Sequence, residues 1–65
     1  MKPKCALVGE NGNVFNLIAL VRMALKEEGL YEELERFDNE LSTLWKNGGT
    51  YDEVLLLFYD FVEIF

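Results

Sequence analysis

Cys5 and Ser42 are the only thiol and serine nucleophiles in the chain, and no histidine is present to activate either. Nucleophilic catalysis of the Ser–His or Cys–His kind needs that adjacent base. Ser42 falls on the outer face of a helical pattern and reads as a surface hydroxyl. Cys5 lies in a short apolar run and is expected to be a small half-buried strand residue rather than a nucleophile or redox sensor. Asp52, Asp60 and Glu63 recur near the end of the chain, where carboxylates could hold a divalent cation. No loop with ordered oxygen-ligand spacing accompanies them, so they are expected, with Glu53, to form a solvated acidic face. Gly9-Glu10-Asn11-Gly12-Asn13 precedes a helical pattern and could cradle an anion on free helix amides. Its Gly9-x-x-Gly12 spacing matches neither the dinucleotide fingerprint nor the P-loop, whose lysine is missing, and Glu10 would repel a phosphate. A chain-reversing turn is the expected role. No catalytic residue, cofactor site or metal site is therefore assigned, and a non-enzyme is expected.

Size and composition bear on how the fold is supported and on what it binds. Sixty-five residues allow a single domain, 1–65. So short a chain buries only about 60% of its unfolded surface and usually needs a disulfide, a metal or a second copy for support. One cysteine excludes an internal disulfide, and one cysteine without histidine excludes an ordinary structural zinc site. A homo-oligomer, most simply a dimer, is the remaining support, and 51% hydrophobic residues is a heavy apolar load for so small an interior. Twelve acids against six bases give a net charge of −6, which argues against direct binding to nucleic acid or to an anionic membrane. No apolar run approaches the roughly 20 residues that span a bilayer, and the stretch behind Lys2 and Lys4 is too short for a signal-peptide core. A lone thiol suits a reducing cytoplasm, the expected location.

The elements follow from periodicity and caps. Lys4 to Val8 reads as a strand, Cys5 and Leu7 on one face, Ala6 and Val8 on the other. A lone strand needs a partner, which a second copy could supply. Asn11-Gly12 could also open a hairpin, but the residues beyond Val14 keep a helical period, with Asn13 as N-cap. The first helix is expected over Val14 to about Glu28, with Val14, Leu17, Ile18, Val21 and Leu25 facing the core. Gly29 should end it in a left-handed conformation, covered by Leu30. The second helix is expected from Tyr31 to about Lys46, its apolar stripe formed by Leu30, Leu34, Phe37, Leu41, Leu44 and Trp45. Glu32–Arg36 and Arg36–Glu40 are spaced to pair on its solvated face. Asn47-Gly48-Gly49 breaks this helix, and Thr50 and Glu53 form a capping box for a third, expected from Tyr51 to near Phe65. The fold class is mainly α: three helices with a short N-terminal strand.

Phe15 and Met23 in the first helix, and Leu56 and Tyr59 in the third, fall among polar residues. Several apolar side chains on two outer faces of so small a chain mark a contact surface. The apolar end Glu63-Ile64-Phe65 either packs into the core or an interface, or belongs to a longer chain. The run from Cys5 to Leu17, with Gly12-Asn13-Val14-Phe15 at its centre, resembles the opening of a group of small uncharacterised bacterial proteins, many encoded in phages and mobile elements. These begin with a strand, Gly-x-Asp/Asn-Gly-Asn-x-Phe and a helix, and often carry a Tyr-Asp pair early in the last helix, as Tyr51-Asp52 does here. The resemblance implies no activity. The expected function is a non-enzymatic interaction or adaptor protein acting on an unknown protein partner through its helical surface. The alternative is an acidic inhibitor that mimics DNA, with Asp52, Asp60 and Glu63 standing in for phosphates.

Overall fold

A computed structural model, which describes residues 2–65, joins the two ends of the chain in one small sheet. Strand β1 (Lys4–Cys5) pairs in parallel with β2 (Glu63–Ile64), Lys4 beside Glu63 and Cys5 beside Ile64. Between them run α1 (Val14–Glu27), α2 (Tyr31–Lys46) and α3 (Tyr51–Phe58). A parallel pair needs a long crossover, and here the three helices supply it.

This pairing corrects two expectations. The third helix does not continue to Phe65, and the N-terminal strand finds its partner within its own chain. No glycine or proline stops α3. Tyr59, Asp60 and Phe61 instead tighten into three-residue turns, their amides bonding to the carbonyls of Leu56, Leu57 and Phe58. The chain then extends so that the Glu63 amide reaches the Pro3 carbonyl at 2.8 Å and the Phe65 amide reaches Cys5 at 3.1 Å. Amides of Leu7 and Val8 both bond to the Phe65 carbonyl, at 2.8 and 2.9 Å. Backbone groups of β1 must be paired somewhere, and that requirement overrides the helical spacing of residues 59–65. The regular strand is shorter than Lys4 to Val8, but its alternation holds: Cys5 is buried and Leu7 half-buried, whereas Ala6 and Val8 face out.

The helix ends follow local chemistry. Asn13 caps α1, its side-chain oxygen accepting from the Phe15 amide at 2.9 Å. At the other end Gly29 takes φ +69°, the Leu30 amide bonds back to Leu25 and the Gly29 amide to Lys26, closing the last turn. The α2 terminus repeats this closure: the Gly48 amide bonds to Trp45, and the Gly49 amide to Leu44. Thr50 and Glu53 form the expected capping box on α3, each binding the other's backbone amide.

One apolar core joins these elements. Val21 and Leu25 of α1, Phe37 of α2 and Phe58 of α3 are completely buried, with Leu17, Ile18, Leu41, Val54, Phe61 and Val62 around them. Phe61 meets the Phe37 ring edge-on with centroids 5.2 Å apart, and Phe58 lies 6.0 Å from Phe37. No polar or charged side chain is buried among the described residues. Ordering of the core thus comes from aromatic and aliphatic packing.

Candidate interaction surface

On the outer side of the α1–α2 contact, Phe15 stacks on Trp45 with ring centroids 5.8 Å apart and planes tilted by 58°. Phe15 remains 68% exposed and Trp45 43% exposed, so the pair shields itself only in part. Ala19 and Met23 follow Phe15 at helical spacing and line the same shallow groove with Leu34 of α2. Ser42 and Lys46 flank Trp45 on its other side. Arg22 of α1 pairs with Asp38 of α2 across the seam, and both side chains stay solvated. Such an exposed pair contributes little stability.

A second groove runs between α2 and α3. Leu44, Leu56 and Leu57 form its apolar part, and Glu40, Glu53 and Asp60 line it along with Arg36. Leu56 is 66% exposed. Arg36 is held in place from three sides, by Glu40 at 3.2 Å, by Glu33 at 3.5 Å and by the Phe61 ring, whose centroid is 4.7 Å from the guanidinium carbon. Glu33, one turn before Arg36, takes the place expected for Glu32.

All four residues expected at an interface are exposed, but they do not form one patch. Phe15 and Met23 share the α1/α2 face, Leu56 lies in the α2/α3 groove, and Tyr59 lines neither. Tyr59 contributes its carbonyl, which accepts from Lys2 Nζ at 2.6 Å. Trp45 was expected in the core stripe of α2 and is instead a surface residue. Its register next to Leu44 places it at the margin of that stripe, where it meets Phe15 rather than the core. The acidic arc is also divided: Asp52 and Glu53 begin α3, Asp60 lies in the turn after it, and Glu63 belongs to β2.

The remaining candidates have structural surroundings. Cys5 is 5% exposed, and burial pushes its thiol pKa up, so it stays protonated and weakly nucleophilic at neutral pH. In the Gly9–Asn13 loop the side-chain oxygen of Asn11 accepts from the Asn13 amide, and that of Asn13 from Phe15. The Asn13 and Phe15 amides, two that an anion at this helix start could use, are therefore already engaged. Gly9 takes a positive φ, +86°, and Gly12 does not. Gly12 acts through its carbonyl, which accepts from the Tyr51 hydroxyl at 2.7 Å. Among the described residues no group of three or more His, Cys, Asp or Glu side chains is placed to hold a metal ion. Nor is any described helix long and apolar enough to cross a membrane. No protein-family model, curated protein or solved structure matches the chain.

Proposed function

We propose that this protein is a non-enzymatic interaction or adaptor protein that binds other proteins, further copies of itself included, through its helical surface. The stacked and exposed Phe15–Trp45 pair, extended by Met23, is the observation that carries this reading. Aromatic side chains that leave water on binding dominate the energetics of protein interfaces, and Trp and Tyr are enriched among interface hot spots. With β1 paired internally, Phe15 and Met23, rather than a strand edge, are the surface available for self-association. The unpaired Cys5 thiol and the net charge of −6 support a cytoplasmic protein whose partners are proteins rather than nucleic acids or membranes.

The alternative reading, an acidic mimic of DNA, draws support from Glu40, Glu53 and Asp60 in the α2/α3 groove. It is the weaker one, because Leu56 stands exposed among those carboxylates and Glu63 lies on β2. Affinity capture from the native host with the unaltered protein and with Phe15→Ser/Trp45→Ser tests the proposal. A specific protein retained by the first and lost by the second supports it. Retention by both, with loss on replacing Asp52 and Asp60 by Asn and Lys, favours the mimic.

A further inference from the structure

We propose that copies of this protein associate head to tail, the α1/α2 face of one molecule seating on the α2/α3 groove of the next. This rests on the interaction reading above and names both contact surfaces. Helix α2 lines both surfaces. Leu34, Asp38, Ser42 and Trp45 border the α1 side; Arg36, Glu40, Leu44 and Asn47 border the α3 side. At about 100° per residue these two sets point roughly half a turn apart, so the surfaces lie on opposite flanks of one helix.

Their chemistry is complementary. Both are open and partly apolar, offering Phe15, Met23 and Trp45 on one side and Leu44, Leu56 and Leu57 on the other. The α1/α2 face carries Arg22, Lys26 and Lys46 against the single acid Asp38. The α2/α3 groove carries Glu40, Glu53 and Asp60 against the single base Arg36. Two like faces meeting would oppose like charges, whereas one face on the other groove matches them. Charge of this kind selects the partner and sets orientation, and burial of the apolar side chains supplies the affinity. A contact between two different surfaces of the same molecule is heterologous, and repeats into a ring or an open chain rather than a two-fold pair.

Sedimentation velocity at micromolar concentration tests this on four samples of the 65-residue chain, each confirmed folded by circular dichroism. The samples are the unaltered protein, Lys26→Glu/Lys46→Glu, Leu56→Lys/Asp60→Lys, and an equal mixture of the two variants. All substituted side chains are exposed. The unaltered protein should sediment as multiples of 7.5 kDa. Each variant alone should associate at least about tenfold more weakly, and the mixture should recover association through the native face of the groove variant seated on the native groove of the face variant. Should a double variant fail to fold, Lys26→Glu or Asp60→Lys alone replaces it. An unaltered protein that stays at 7.5 kDa overturns the proposal. So does undiminished association of the groove variant, or a mixture that remains monomeric. Capture of a host protein through Phe15 and Trp45 by a monomeric chain would end this proposal while leaving the functional reading in place.

Discussion

The Tyr51 hydroxyl donates to the Gly12 carbonyl at 2.7 Å, tying the first residue of α3 to the loop that leads into α1, 39 positions earlier. It spans the end of the bundle that also holds the two best-formed N-caps, Asn13 and Thr50. Tyr51→Phe removes this bond alone and should lower stability by about 0.5–1.5 kcal/mol, toward the smaller end because the side chain is 45% exposed. Urea denaturation of the two proteins measures the difference. Equal midpoints would mean that the bond contributes nothing in solution.

Asn13→Ala should cost about 0.5–2 kcal/mol, because the Phe15 amide loses its side-chain acceptor at the start of α1. Asn13→Asp, which keeps an acceptor at the positive end of the helix, should fall close to the original. Thermal melts of the three proteins check both. An unchanged Asn13→Ala melt would show that this cap contributes nothing to stability.

Gly49 and Gly12 should respond in opposite ways to alanine. A Cβ on Gly49 would lie 2.5 Å from Leu44 Cγ and 2.8 Å from the Leu44 carbonyl oxygen, so the α2–α3 connection must shift to admit it. Gly12 has no positive φ, and a Cβ there meets only the Tyr51 hydroxyl at an ordinary 3.6 Å. Gly12→Ala should therefore range from neutral to roughly 1 kcal/mol stabilising through the unfolded chain. Gly49→Ala should cost upwards of about 1 kcal/mol. Denaturation midpoints ordered the other way would contradict these backbone positions.

Much of the helical part could be read from particular residues. Asn13, Gly29, the Asn47-Gly48-Gly49 break and the Thr50–Glu53 box act over three or four positions, so their effect is written locally. The exposure of Phe15, Met23, Leu56 and Tyr59 followed from polar neighbours at helical spacing. β2 was not legible, because Glu63-Ile64-Phe65 continues the pattern of α3 and is turned into a strand only by β1, nearly sixty positions away. Nor was the place of Trp45. Periodicity put it on the core stripe, and the position of α1 decided that its ring would meet Phe15 at the surface.

Stability should depend on pH through Cys5. Burial raises its folded pKa above the ordinary value of 9.0, so the unfolded chain ionises first. The contribution of the neutral thiol is fully present below that value and is lost as pH rises through the folded pKa. The unaltered protein should lose more stability above pH 9.0 than Cys5→Ala does, and native-state alkylation of Cys5 should be slow until the protein unfolds. Matching pH profiles for the two proteins would contradict the burial of this thiol.

Trp45 is the single tryptophan of the chain and stands on the proposed contact surface, so its fluorescence reports that surface without a label. Acrylamide quenching across a rising series of protein concentrations tests most directly whether this face is a site of association. Quenching should weaken with concentration and the emission maximum should shift to the blue as Phe15 and Trp45 leave water. In Phe15→Ser that concentration dependence should shrink. Quenching that stays constant while the protein remains folded would show that nothing covers Trp45, and would contradict self-association through this face.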